Sequence, residues 1–237
     1  MKVAGRNAVS ELFKTEKNID KLLIEKEPQG SLKAIFAEAR KRNIRVQFVD
    51  RKVLDKQSEA GRHQGVIAYT TDYEYSTLDD IILSRGEKDG FVVLCDGIED
   101  VHNLGSVIRV AECAGADGVV IPANNSASVT EAVVRISAGA ANHVKVAKVN
   151  SLKHAIDKLK QNGFWLYALE ADGNNIYDAD FSGNVAIIVG GEDSGVRRLT
   201  REKCDFTLSI PLKGKVNSLN ASVAFGIAAY EVVRKRS

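Results

Sequence analysis

The chain has 237 residues, 44% of them hydrophobic, which is enough for a substantial buried core in one or two domains. Its 33 Lys and Arg nearly balance its 31 Asp and Glu, so the net charge is only +2. Three scattered cysteines, with no Cys-x-x-Cys pair, argue against a disulfide framework and a metal site. No apolar run has the length of a membrane span, and the start does not resemble a signal peptide. We therefore expect a soluble, cytoplasmic protein.

Positive charge is concentrated near the N-terminus. Residues 1–71 hold 15 Lys and Arg against 9 Asp and Glu, whereas residues 72–237 hold 18 against 22. A basic module of this kind can neutralise the phosphates of a nucleic acid. Solvated helix faces would produce the same excess, so the charge alone leaves nucleic-acid binding open.

The first 71 residues alternate between helical and strand patterns. In Ile44–Phe48, apolar and polar residues alternate as in a half-buried strand. Alternating elements of this kind predict a small α/β domain over residues 1–71. Residues 72–87 are polar and acidic and are predicted to form a linker, with a short helix at Leu78–Leu83. The other predicted elements of the first domain are helices at 7–13 and 31–42 and strands at 22–24 and 65–69.

Residues 88–237 show a different rhythm, in which longer strands end in loops and are followed by helices. Phe91–Cys95 is almost continuously apolar, as expected for a strand that is covered on both faces. This pattern predicts a doubly wound α/β domain with a parallel sheet. The predicted strands are 91–95, 118–121, 144–149, 164–169, 185–189 and 206–210, and the predicted helices are 105–114, 152–161 and 221–234.

The last predicted helix, residues 221–234, has no sustained polar face. A helix that is apolar most of the way round must be covered on several sides. A partner subunit or the helix's own domain could supply that cover, and the sequence leaves both open.

Three loops rich in Gly or Asn follow predicted strands, at residues 96–109, 189–195 and 210–221. In an open parallel sheet, ligands bind beyond the carboxyl ends of the strands. The chain lacks the Gly-x-Gly-x-x-Gly and Walker signatures, His-Glu-x-x-His and Gly-x-Ser-x-Gly. Dehydrogenase, kinase, metalloenzyme and hydrolase classes therefore lose their main support. Taken singly, the same residues also fit ordinary turns and helix caps.

Taken together, the loops resemble the three ordered motifs of the SpoU/TrmH family of RNA 2′-O-ribose methyltransferases. Asn103–Arg109 resembles motif 1, Gly190–Gly195 resembles motif 2, and the segment from Ile210 to Ala224 resembles motif 3. The resemblance covers residues 88–237. Residues 1–71, in a shorter match, look like the ribosomal-protein-like RNA-binding domain of the bacterial 23S rRNA guanosine-2′-O-methyltransferases.

The resemblance implies several properties that the residue patterns do not show. It implies a trefoil knot, an S-adenosylmethionine pocket built from the knotted loops, and a homodimer formed through the C-terminal domain. Threaded chains are rare, so the knot rests on the family alone. The implied substrate is a guanosine of 23S rRNA. A tRNA 2′-O-methyltransferase, and a non-catalytic RNA-binding or assembly protein of the same fold, remain as alternatives.

The resemblance also implies five catalytic residues. Arg109 would clamp a phosphate or stabilise the developing alkoxide, because a guanidinium is too reluctant to lose its proton to act as a base. Asn103 would hold the ribose or orient Arg109, and Glu192 would fix Arg109 or its loop. Ser218 and Asn220 would complete the site.

The remaining implied roles concern binding. Backbone groups and closely approaching glycines would hold the cofactor without a metal. The residues implied for this pocket are Gly190, Gly191, Gly195, Ile210, Gly214 and Leu219. The basic residues expected to contact RNA are Arg40, Lys41, Arg42 and Arg45.

Overall fold

The chain divides into two compact units, Met1–Glu74 and Tyr75–Ser237, and each has its own β-sheet. No helix in the described part of the chain is long and apolar enough to cross a bilayer. The residues that this computed structural model describes are 2–15, 18–58, 62–71, 73–192 and 195–237.

The first unit has a four-stranded sheet with helices on both faces. Its strands lie in the order β1-β4-β2-β3, with β2 and β3 parallel and β4 antiparallel to both β1 and β2. Two short elements, β1 and α3, are missing from the prediction. Three residues give β1 too little periodicity to read, and α3 is mostly polar, with Leu54 as its one buried residue. The elements are β1 (Lys2–Ala4), α1 (Arg6–Leu12), β2 (Asn18–Glu25), α2 (Ser31–Lys41), β3 (Arg45–Val49), α3 (Arg51–Gln57) and β4 (Val66–Thr71).

The second unit has six parallel strands in the order β10-β8-β9-β5-β6-β7. This confirms the predicted α/β fold with a parallel sheet. Helices α4 and α7 pack on one face, whereas α5, α6 and α9 pack against one another. The elements are α4 (Leu78–Ser84), β5 (Phe91–Asp96), α5 (Val101–Cys113), β6 (Gly118–Pro122), α6 (Glu131–Ile136), β7 (Lys145–Val149), α7 (Leu152–Gln161), β8 (Phe164–Asn175), β9 (Asn184–Gly190), α8 (Arg198–Arg201), β10 (Phe206–Ser209) and α9 (Ala221–Arg236).

Two boundaries differ from the prediction. Helix α5 begins at Val101 rather than at residue 105, because the Asp100 side chain accepts the backbone N–H groups of His102 and Asn103 and so caps the helix. Much of the predicted linker belongs to the second unit, since Ser76 pairs with Ala147 and the apolar residues of α4 lie in that unit's core.

Candidate active site

The first and second predicted loops meet at the carboxyl ends of neighbouring strands. Strands β5 and β9 pair so that Asp96 lies beside Gly190. The buried carboxylate of Asp96 accepts the backbone N–H of Arg197 at 3.0 Å and lies 3.3 Å from the guanidinium Nε of that residue. These contacts join the two loops where the strand order reverses, which is the usual place for a ligand site in such sheets.

Three of the predicted catalytic residues, one from each loop, form a hydrogen-bonded cluster. Oε1 of Glu192 accepts the side-chain amides of Asn103 at 2.9 Å and of Asn220 at 2.8 Å. The Asn220 amide also donates to Oδ1 of Asn103 at 2.9 Å. The sequence predicts that Asn103 holds the ribose or orients Arg109, and that Glu192 fixes Arg109 or its loop. Among the described residues neither side chain hydrogen-bonds to Arg109; instead they bind each other and Asn220, and Glu192 thereby holds the helix that carries Arg109. The cluster therefore holds the three loops together.

Asn220 has a second role at the start of α9. Its Oδ1 accepts the backbone N–H groups of Ser222 at 3.0 Å and Val223 at 3.3 Å, and so caps the helix. The two ends of one amide thus fix both the first turn of α9 and the orientation of Glu192.

Replacing Asn220 with serine should separate these two roles. A serine hydroxyl can still cap α9, so the free energy of unfolding should fall by less than about 1 kcal/mol. Serine is too short to bridge Glu192 and Asn103, so methyl transfer should slow by about tenfold to a hundredfold as the loops lose their alignment. Chemical denaturation and initial rates would measure the two effects. Asn220→Ala, which loses both roles, is the matched control, and a wild-type rate for Asn220→Ser would contradict the bridging role.

A cavity of about 430 Å³ lies between the second and third loops. Its volume falls within the range of about 300–1,000 Å³ that is typical of small-molecule sites. A larger cavity of about 610 Å³, beside Trp165 and Phe206, is lined by none of the predicted residues. The smaller cavity is therefore the better candidate for the cofactor site, because several of the predicted binding and catalytic residues line it. The predicted residues that line it are Gly190, Gly191, Glu192, Gly195, Ile210, Ser218 and Leu219.

The second loop is built on glycines that leave no room for side chains. A Cβ at Gly190 would lie 1.9 Å from the carbonyl carbon of Gly195, and a Cβ at Gly191 would lie 2.5 Å from the carbonyl oxygen of Gly97. Gly195 itself has a φ of +58°, which favours glycine. Gly190 and Gly191 thus allow close packing of backbone on backbone. Asp193 and Ser194, which complete the predicted motif, lie outside the described residues.

Two predicted residues do not join this site. Arg109 is exposed, and among the described residues it makes no hydrogen bond to Asn103 or Glu192. Six positions along a helix turn the chain by about 240° and advance it by about 9 Å, which places Arg109 on another face of α5 from Asn103. Gly214 does not line the cavity, and a Cβ added to it would meet no atom within 4 Å. The close approach expected at Gly214 is therefore not seen.

The predicted RNA contacts lie in the first unit. Arg40, Lys41 and Arg42 are exposed at the end of α2, and Arg45 is half-buried at the start of β3. Arg42 forms an ion pair with Glu38 at 2.6 Å. Part of this predicted basic group is thus already neutralised.

Sequence reasoning missed Glu170, which lines the cavity from β8. Its Oε1 accepts the backbone N–H of Val196 at 2.5 Å and so fixes the end of the second loop. It also missed the contact between Asp96 and Arg197. Only the position of Asp96, directly after an apolar strand, could have signalled it. The neighbouring Cys95 is not a candidate nucleophile, because complete burial, together with the charge of Asp96, raises the pKa of its thiol to about 12.

Comparison with known families identifies the family to which the chain belongs. The profile of the SpoU rRNA Methylase family matches residues 90–230, and that of the RNA 2'-O ribose methyltransferase substrate binding domain matches residues 2–76. The chain belongs to the SpoU rRNA Methylase family. Membership confirms the predicted enzyme class, RNA 2′-O-ribose methyltransferase. At the level of the family it also confirms the predicted cofactor, S-adenosylmethionine.

Individual relatives cover nearly the whole chain. A Bacillus subtilis protein named TrmH family tRNA/rRNA methyltransferase YacO is 40% identical over 99% of this chain and 96% of its own length. A Staphylococcus aureus protein named TrmH family tRNA/rRNA methyltransferase is 43% identical over the same shares. The crystal structure of the SpoU methyltransferase AviRb from Streptomyces viridochromogenes, in complex with AdoMet, is similar with a TM-score of 0.64 and 25% identity. It covers 100% of this chain and 90% of AviRb. The names of the two sequence relatives include both tRNA and rRNA, so the predicted 23S rRNA specificity stays a prediction.

Proposed function

We propose that the protein transfers the methyl group of S-adenosylmethionine to the 2′-oxygen of a guanosine ribose in 23S rRNA, in the cytoplasm. The observation that carries the proposal is the cluster of Asn103, Glu192 and Asn220, in which Glu192 also lines the cavity between the second and third loops. It places fixed polar groups beside a pocket that is large enough for a nucleoside-sized ligand.

The cavity suits S-adenosylmethionine in its chemistry. It is lined by the apolar residues Val189, Leu208 and Ile210 and by glycines of the second loop, which can present only backbone. Apolar walls with backbone donors and acceptors suit an adenine ring, whose edges need no charged partner. When bound, the cofactor supplies a methyl group on a sulfonium, which is already activated for displacement. The chain must then position the ribose and stabilise its 2′-oxygen.

Each of three predicted catalytic residues, two that line the cavity and Arg109 outside it, can be given a part in that task. Glu192 uses Oε1 for the two amides, which leaves Oε2 to accept a hydrogen bond from a ribose hydroxyl. Ser218, on the cavity wall, can donate to the substrate. Arg109 stabilises the developing alkoxide or holds the adjacent phosphate, and such preorganised charge is often the largest contribution to catalysis.

The match of residues 2–76 to a substrate-binding domain supports structured RNA as the substrate. The rRNA assignment rests on the family's name and on the resemblance of the N-terminal domain. A tRNA substrate is the second candidate, supported by the relatives' names.

One experiment separates these substrates. The purified protein is incubated with radiolabelled S-adenosylmethionine and either unmodified 23S rRNA or bulk tRNA, and the RNA is digested to identify the labelled nucleoside. Labelled 2′-O-methylguanosine from rRNA alone is the expected result. Label from tRNA alone would replace the rRNA assignment. Cofactor binding without label in either RNA would contradict both assignments and favour another RNA substrate or the non-catalytic class.

We also infer a trefoil knot, as the family resemblance implies, and a homodimer in which a second copy covers an exposed apolar stripe of α9. Val223 is 50% exposed, and Tyr230, two helical turns later, is 52% exposed. Val216 in the third loop is 73% exposed. Exposed apolar side chains grouped on one helix are typical of an interface, and in a two-fold dimer the same patch comes from both copies.

Tyr230→Glu should break this dimer. A charge at the centre of an apolar interface should weaken association by at least about thirtyfold, the equivalent of a hot-spot residue. Light scattering after size-exclusion chromatography, over a range of concentrations, would measure the mass. Leu83→Glu is the matched control, because Leu83 is also an exposed apolar residue, at 76%, but lies on α4. A wild-type protein that stays monomeric at all concentrations would contradict the inference.

A further inference from the structure

A row of basic and aromatic side chains crosses one face of the N-terminal sheet. Strand register places Lys2 of β1 beside Tyr69 of β4. The same Tyr69 is beside Lys21 of β2, and Lys21 is beside Arg45 of β3. Four neighbouring strands thus contribute one residue each, and strands about 4.8 Å apart give the row a length of about 14 Å. These four residues are called the basic row below.

The basic row lies on the face of the sheet that α3 covers only in part. The opposite face carries Leu22 and Ile24 into the core beneath α1 and α2. On the α3 face, Leu23 and Ile67 pack with that short helix. The Tyr69 hydroxyl donates a hydrogen bond to the side chain of Gln57, the last residue of α3. Lys2 is exposed, and the other three residues of the row are half-buried.

Tyr69 gathers two ammonium groups. Nζ of Lys21 lies 4.6 Å from the centroid of the Tyr69 ring, and Nζ of Lys2 lies 5.7 Å from it. Both distances are within cation–π range. The ring therefore holds the two lysines along the row, so an anionic ligand would meet them already positioned.

Two of the row's three positive charges, those of Lys2 and Lys21, are poorly compensated. Among the described residues, no carboxylate forms an ion pair with Lys2 or Lys21. Partial burial lowers the pKa of Lys21, and the charges of Arg45 and Lys2 lower it further, although Asp20 opposes them. Like charges side by side on a sheet destabilise it, so a bound polyanion would relieve a strain that the free protein carries.

We propose that the basic row is the surface on which the N-terminal unit binds the phosphate backbone of RNA. The proposal rests on the proposed function, because RNA is the polyanion that an RNA methyltransferase must hold. Three cations along about 14 Å match a phosphate backbone better than a single small anion. Of the basic residues predicted from the sequence, only Arg45 belongs to the row.

The end of α2 is the competing surface. There Arg42 is paired with Glu38, and its guanidinium lies 5.3 Å from the Phe13 ring centroid. Arg40 and Lys41 are exposed on the helix, where no strand pairing aligns them in a row. The two surfaces can be compared by removing two charges from each, with Lys2→Gln/Lys21→Gln for the basic row and Arg40→Gln/Lys41→Gln for the helix end.

Filter binding of in-vitro-transcribed 23S rRNA, without cofactor, gives the Kd of each full-length double variant at several salt concentrations. The basic-row variant should raise Kd by about tenfold and reduce the slope of log K against log salt by about 1.4 to 1.8, as expected for two lost phosphate contacts. The helix-end variant should change Kd by less than about twofold. The single variant Lys21→Arg should bind RNA as tightly as wild type, because arginine keeps the positive charge.

Lys2→Gln alone is the fallback if the double variant unfolds on heating more readily than wild type, since Lys2 is an exposed edge residue. Equal weakening by both double variants, or weakening by the helix-end variant alone, would overturn the proposal. Labelling assays keep the two proposals apart. If wild type methylates 23S rRNA and the basic-row variant binds that RNA normally, only the proposal about the basic row is refuted. A wild-type protein that methylates no RNA, with binding still dependent on the row, refutes only the function.

Discussion

Arg109→Ala should slow methyl transfer by about 10²- to 10³-fold, as when a preorganised group that stabilises a developing oxyanion is removed. Binding of S-adenosylmethionine and the free energy of unfolding should stay close to wild type, because Arg109 is exposed and does not line the cavity. Single-turnover rates on 23S rRNA, cofactor titration by calorimetry and chemical denaturation would measure the three quantities.

Arg109→Lys is the informative control for this prediction. A lysine keeps the charge but not the fork of donors, so a partial rescue would indicate electrostatic help and no rescue would indicate bidentate contact with a phosphate. A wild-type rate for Arg109→Ala would exclude Arg109 from the chemistry.

Because Arg109 lies apart from the cluster, it can serve the active site of its own chain or that of the second copy in the proposed dimer. In one chain it lies outside both the cluster and the cavity lining. Mixing inactive Arg109→Ala with an inactive Glu192→Gln variant tests whether it acts across the proposed dimer. Recovered activity would show that one copy supplies Arg109 and the other Glu192. Continued inactivity of verified mixed dimers would place both residues in the same chain's site.

The sequence predicted the parallel sheet because its strands are nearly continuous apolar runs. Phe91–Asp96 is buried throughout, as a strand covered on both faces should be. Asn103, Glu192 and Asn220 could be grouped because each follows a strand or begins a helix at the same edge of the sheet. Their mutual hydrogen bonds could not be predicted, since the start of α5 depends on the Asp100 cap and moves Asn103 into a helical turn.

Contacts that depend on register were beyond the sequence. Glu170 reaches the second loop only because β8 lies beside β9, and the basic row exists only because four strands align. The sequence predicts Arg45 as an RNA contact from its charge, whereas Lys2 and Lys21 join it only through the register that places Tyr69 between them. The periodicity of a strand shows which face of the sheet a residue occupies. Its neighbours on adjacent strands can be predicted only when the strand order and register are known.

Gly190→Ala should be the most damaging single substitution in the cavity wall. Its Cβ would lie 1.9 Å from the carbonyl carbon of Gly195 and 2.2 Å from the backbone nitrogen of Val196. Both are backbone atoms that no rotamer change can move, so the loop itself must shift. That shift would strain the bond from Gly195 N–H to Gly191 O at 2.9 Å and the bond from Val196 N–H to Glu170.

The expected cost of Gly190→Ala is about 1–3 kcal/mol in the free energy of unfolding, as for other overpacked sites. Affinity for S-adenosylmethionine should fall by at least about tenfold, because the displaced loop forms the cavity wall. Denaturation and calorimetry would measure both. Gly214→Ala is the matched control for stability, since an added Cβ there meets no atom within 4 Å. A Gly190→Ala protein with unchanged stability and cofactor affinity would show that the second loop adjusts freely and does not define the pocket.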